Sequence, residues 1–132
     1  MKKNGILNSK IAKVLADLGH TDQITIGDAG LPVPLGVEKI DLALRLGVPN
    51  FKTVLETVLE DMAIEKVFLA AEIKAENPTQ LNKILKALPE SVDVIFISHE
   101  DLKKQTIYSK AVIRTGEATP YSNIILQSAV IF

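Results

Sequence analysis

Three stretches of this chain repeat apolar residues at helical spacing, and around them lie short apolar runs too brief to be helices. Ile11, Val14, Leu15 and Leu18 make the first stripe; Phe51, Val54, Leu55, Val58, Leu59 and Met62 make the second; Leu81, Ile84, Leu85 and Leu88 make the third. Each spacing gives a helix one apolar face. The short runs are QITIG (23–27), VEKIDLAL (37–44), KVFLAAEI (66–73), VDVIFIS (92–98), KAVIRTG (110–116) and NIILQSAVIF (123–132). They read as strands, and the nearly continuous KVFLAAEI reads as one covered on both faces. HEDLKKQTIY (99–108) suggests a further short helix. Helices alternating with strands predict an α/β layered domain with a largely parallel sheet. At 132 residues, the chain is expected to form one domain over 1–132.

Local chemistry marks several boundaries. Asn8 or Ser9 can cap the first helix, and Gly19 is expected to close it in the left-handed conformation. Asn77-Pro78 reads as a cap followed by a first-turn proline, and Pro89 ends the third helix. The Leu-Pro-Val-Pro-Leu-Gly segment from Leu31 is loop, because proline cannot donate to a sheet ladder.

Composition excludes whole classes of chemistry. No cysteine is present, which removes disulfides, thiol catalysis and thiolate metal sites. A formal net charge of −1, with Lys and Arg spread along the chain, argues against nucleic acid as a partner. No segment approaches the ~20 apolar residues of a membrane span. Asn8, Ser9 and Lys10 interrupt any signal-peptide core, so a soluble cytoplasmic protein is expected. Mean hydropathy is +0.22, an apolar excess that points to subunit contacts or to a large core.

In open α/β sheets ligands bind beyond the carboxyl ends of strands. Two such ends carry titratable groups: Gly27-Asp28-Ala29-Gly30 after QITIG, and Ser98-His99-Glu100 after VDVIFIS. Neither is a phosphate loop, since no Gly-x-Gly-x-x-Gly opens a helix and no Gly-Lys-Ser/Thr occurs. The only histidines, His20 and His99, are the side chains suited to moving protons near neutral pH. Blander roles are open to each: His20 could complement the negative end of the first helix, and His99 could cap a helix or pair with Glu100. Asp28 could simply brace its turn. Two histidines and Asp28 could also ligate a metal, but no pair has helical or hairpin ligand spacing. Thr119-Pro120-Tyr121-Ser122-Asn123 offers donors and acceptors without fixed charge, which suits a neutral polyhydroxylated ligand, though it also suits a plain turn. From His20 to Asp28 an extended chain spans roughly 26 Å at ~3.3 Å per residue. The two share a site only if the segment doubles back or a second subunit intervenes.

Three separated motifs, LGHTDQITIGDAGLPVP, ISHEDLK and GEATPYSNIIL, together with the opening MKKNGILNSKIAKVLADLGH, resemble the ribose pyranase and fucose mutarotase family. The resemblance covers essentially the whole chain. It implies a three-layer α/β/α sandwich and an enzyme that interconverts the ring forms of a free aldose without metal or organic cofactor. The ribose branch exchanges β-D-ribopyranose and β-D-ribofuranose, supplying ribose for phosphorylation; Gly30 and Leu31 in DAGLP favour that branch, where the fucose branch tends toward Asp-Ala-Asn-Phe-Pro. Carried over by motif, His20 is the catalytic acid, and Asp28, His99, Tyr121 and Asn123 bind D-ribose. The resemblance also implies a ring-shaped homo-oligomer, decamer or octamer. A sugar-binding or regulatory subunit without turnover, a mutarotase for another aldose such as fucose, and a structural ring-forming protein are the alternatives.

Overall fold

A computed structural model describes residues 1–132. Four of its helices start on a side chain that accepts orphan backbone N–H groups. Asn8 accepts from Lys10 and Ile11 ahead of α1 (Ser9–Asp17), and Asn50 from Thr53 ahead of α2 (Phe51–Asp61). Asn77 accepts from Gln80 at α4 (Pro78–Ala87), and Ser98 from Asp101 at α5 (His99–Gln105). Each such cap is worth about 1 kcal/mol. A 3-10 turn over Thr106–Tyr108 follows α5.

Six strands form one sheet in the order β2-β5-β1-β6-β3-β4: β1 (Gln23–Gly27), β2 (Glu38–Asp41), β3 (Ile64–Ala70), β4 (Asp93–Ile97), β5 (Ser109–Arg114) and β6 (Ile124–Ser128). The pairs β1–β5, β2–β5 and β3–β4 are parallel, whereas β6 runs antiparallel to both β1 and β3. Alternate residues of a strand face opposite sides, and β6 shows the result. Ile124 and Leu126 enter the large core with Ile11 and Val14 of α1, Val54, Leu55 and Val58 of α2, and Ile84 of α4. Ile125 faces the other way, into a smaller cluster with Ala70 and Leu102 of α5. Helices therefore cover both faces of a mixed sheet, the expected sandwich with unequal layers.

Four local expectations are corrected. The 37–44 strand holds only from Glu38 to Asp41. KVFLAAEI leaves the sheet after Ala70, where the Ala71 N–H bonds the Ile97 carbonyl, and Ile73 opens the short helix α3 (Ile73–Glu76). The last strand stops at Ser128 and lies in the middle of the sheet; Val130, Ile131 and Phe132 project from it as an exposed tail. Gly19 does not take the left-handed conformation. Leu18 closes α1 in extended geometry, and Thr21 carries the positive φ, 69°.

No helix is long and apolar enough to cross a membrane.

Candidate active site

Because β6 is antiparallel to β1, it begins where β1 ends. That topology sets Asn123, one residue before β6, beside Asp28, one residue after β1. The two bond reciprocally: the Asp28 N–H donates to Asn123 Oδ1 at 2.9 Å, and Asn123 Nδ2 donates to Asp28 Oδ2 at 3.0 Å. Asp28 Oδ1 also accepts the Gly30 N–H at 2.9 Å, so the residue braces its turn as well. The Ala29 carbonyl accepts from Arg114 Nε, and the Ala29 N–H donates to the Glu117 carbonyl. At 27 a Cβ would stand 2.6 Å from Leu31 Cδ2 and 3.2 Å from Asn123 Oδ1, so any larger residue there must push Leu31 aside.

The end of β4 supplies the neighbouring group. Ser98 is the cap of α5 and His99 its first residue, with the His99 N–H donating to Glu72 Oε2 at 2.7 Å. The His99 ring meets Tyr121 edge-on, with centroids 5.1 Å apart and planes at 82°. Its Nδ1 is buried and has no hydrogen-bond partner within the chain. An unpaired buried ring nitrogen is costly, and a ligand hydroxyl would satisfy it. Glu100 does not pair with His99; it bonds Lys103 on its own helix. Tyr121 takes a positive φ of 57° and accepts the Asn123 N–H on its carbonyl, which fixes the short segment between the two contacting pairs.

The α4 cap and Glu117 anchor that segment. Asn77 Nδ2 donates to Thr119 Oγ1 and to the Pro120 carbonyl, and Gln80 Nε2 donates to the buried Ser122 Oγ. Glu117 accepts the Phe51 N–H on one oxygen and the Thr119 N–H and hydroxyl on the other. Burial pushes the Glu117 carboxyl up, but those hydrogen bonds outweigh it and hold the group below the usual carboxylate range. Neither Glu72 nor Glu117 stood out in the sequence. Glu72 sat inside an apparent strand, and Glu117 caps a helix far from it along the chain.

His20 lies elsewhere. It precedes β1, so the length of that strand, roughly 17 Å at 3.3–3.4 Å per residue, separates it from the Asp28 end. Its side chain is half-exposed and does not cap α1; Nε2–H donates to Glu65 Oε2 at 2.9 Å. The Gln127 amide, and after it the His20 ring, hold the Glu65 carboxyl below the usual range. A groove of about 520 Å³ beside His20 is lined by Leu18, Met62, Ile131 and Phe132. One chain thus brings four of the five sequence-predicted residues to one end of the strands and leaves the fifth at the other. His20, His99 and Asp28 accordingly do not form a metal-ligand set within the chain.

The profile described as the RbsD / FucU transport protein family matches residues 1–131. D-ribose pyranase of Streptococcus agalactiae serotype Ia is 61% identical over 131 residues, covering 99% of each chain. D-ribose pyranase of Lactococcus lactis subsp. lactis is 61% identical over 130 residues, covering 98% of each. The solved structure of Bacillus subtilis RbsD complexed with D-ribose superposes with a TM-score of 0.96 at 55% identity, covering 100% of both chains.

Proposed function

The chain belongs to the RbsD / FucU transport protein family, and from that membership we propose that it is an isomerase interconverting β-D-ribopyranose and β-D-ribofuranose. The carrying observation is similarity along the full chain, at 61% identity, to a relative named D-ribose pyranase. Such an enzyme would work in the cytoplasm, supplying ribose for phosphorylation.

The reaction asks for proton carriers and a grip on hydroxyls. The anomeric hydroxyl loses a proton, the ring oxygen gains one, and the C1–O5 bond breaks to give the open aldehyde. The 4-hydroxyl then attacks C1 and loses its proton as the carbonyl oxygen gains one, closing the furanose. No C–H bond breaks, so positioned acids and bases suffice, typically contributing ~10²–10⁴-fold. In this reading His20 is the acid. Asp28 and Asn123 hold sugar hydroxyls, the open Nδ1 of His99 takes another, and Tyr121 supplies a phenolic hydroxyl.

The separation of His20 from Asp28 supports a site whose two ends come from two copies of the chain. His20 of one copy would meet the Asp28–Asn123 end of its neighbour, with closed symmetry giving a ring, decamer or octamer. Support comes from the half-exposed His20 ring and from the neighbouring tail, where Ile131 and Phe132 are 88% and 101% exposed. Closed rings also stop such contacts from propagating into fibres.

Saturation-transfer NMR on ribose tests the activity directly. The full chain should accelerate pyranose–furanose exchange, and His20→Ala should abolish most of that acceleration while leaving the fold intact. A folded His20→Ala protein exchanging at the wild-type rate would remove His20 from the chemistry. A wild type that binds ribose without accelerating exchange would make the protein a sugar-binding subunit.

A further inference from the structure

β3 carries one residue more than its partner across Glu65. Ile64 lies opposite Ser128 and Lys66 opposite Gln127, so Glu65 has no counterpart on β6. A bulge of this kind turns a side chain out of the regular alternation, and bulges gather beside functional groups. Here it aims Glu65 at His20, which belongs to a turn with a strained, β-branched Thr21 at φ 69°.

An exposed His–carboxylate pair standing alone is a weak restraint. This one does not stand alone. Gln105 Nε2 donates to Gln23 Oε1, Gln23 Nε2 to Gln127 Oε1, and Gln127 Nε2 to Glu65 Oε1, which leaves Oε2 for His20. The row crosses α5, β1, β6 and β3. Its polarity follows from chemistry: a carboxylate only accepts, so Gln127 must turn its NH2 toward Glu65 and its oxygen toward Gln23, and Gln23 repeats the choice toward Gln105. For the same reason the imidazole must present Nε2–H to Glu65.

We propose that Glu65 is the positioning residue of His20, holding the ring with Nε2–H on the carboxylate so that Nδ1 is the nitrogen that exchanges a proton with the sugar. This rests on the reading of His20 as the acid. As imidazolium, His20 keeps the Nε2–H···Glu65 bond and releases the Nδ1 proton, leaving the neutral Nε2–H tautomer. The same nitrogen then takes a proton back when the furanose closes. The glutamine row keeps the carboxylate from rotating away during that cycle.

Glu65→Gln separates this role from a merely structural one, because the change is isosteric. With the carboxylate gone nothing fixes the direction of the row, and the new amide can turn either its NH2 or its oxygen to His20. The neutral ring then has no fixed tautomer and divides its proton between Nε2 and Nδ1. Long-range proton–nitrogen spectra of the ¹⁵N-histidine-labelled full chain, recorded above the imidazole titration range, read this directly; His20→Ala identifies the signals. The expected result is Nε2–H in the wild type and a mixture of tautomers in Glu65→Gln and Glu65→Ala. Ring exchange at saturating ribose should fall about tenfold or more in both variants, with half-saturating ribose changed less than about twofold. An unchanged tautomer in both variants, or a wild-type exchange rate in both beside an inactive His20→Ala, overturns the proposal and leaves the His20 reading standing. Full exchange in His20→Ala instead overturns that reading, and the role proposed for Glu65 falls with it.

Discussion

Asp28 and Asn123 satisfy each other within the chain, and that mutual bonding holds their remaining acceptors and donors in place. Cutting either one leaves the other short of a partner, with Asn123 buried and Asp28 half-buried, and an unsatisfied polar group of that kind costs about 1–3 kcal/mol. Asp28→Ala or Asn123→Ala should therefore weaken ribose binding by roughly ten- to a hundredfold, at ~1.4 kcal/mol per decade. Calorimetry on the two variants checks this; unchanged affinity in both would remove them from the site. Glu117 makes a different prediction, of acid lability. Its folded carboxyl lies below the usual range, so the stability it contributes is fully present above the unfolded value of about 4.3 and is lost as pH falls through the folded one. Glu117→Gln should flatten the fall in melting temperature across that acidic window relative to wild type. Melting curves run from neutral to acid pH read the difference, and parallel curves would deny Glu117 that part. The residue types at the Asp28 end were legible because strand ends in α/β sheets are where ligands sit. Glu65 and Glu117 were not, because each acts on a group distant along the chain, and a lone glutamate carries no local mark of that.

At the level of elements, what is decided locally could be read and what is decided by a neighbour could not. The helical stripes, the Asn8 and Asn77 caps and the proline stops all rest on residues a few positions apart, and the helices begin where those signals put them. Strand ends rest on the partner strand. The apolar run beyond Ala70 continues into the fully buried Ile73, so hydrophobicity gave no sign that the chain had turned into a helix. The run beyond Ser128 continues likewise while the backbone leaves the sheet. The end of β1 depends on one close approach. Gly27→Ala would drive a methyl group against Leu31 and toward Asn123 Oδ1. Overpacking of this sort typically costs 1–3 kcal/mol, and here the side chain that must yield borders the Asp28–Asn123 pair. A folded Gly27→Ala protein with lower melting temperature and weaker ribose binding is expected; denaturation and calorimetry on one preparation measure both, and a variant matching wild type in each would refute the packing argument.

For the whole molecule, the apolar excess of the sequence is now located. Part fills the core, and part stands in solvent on one chain: Leu35, Leu44 and Leu46 on the loops around β2, and Ile131 and Phe132 at the tail. Deleting Val130–Phe132 removes no hydrogen bond of the sheet, whose last backbone tie beyond β6 is Ala129 to Ala63. The truncated chain should keep its circular dichroism yet lose assembly and ring exchange together, read by light scattering beside the NMR assay. A wild type that stays monomeric at micromolar concentration while exchanging ribose at full rate would defeat the two-copy site. The position of β6 has one more consequence. The parallel groups β2-β5-β1 and β3-β4 share no hydrogen bond with each other and meet only across β6. Translation delivers the chain N-terminus first, so until β6 is made the two half-sheets have no strand between them and are joined only through the helix-side core and the His20–Glu65 bond. β6, the last of the six strands to be made, unites them, and a chain stopped before it would retain two open strand edges of the kind that invites pairing with other chains.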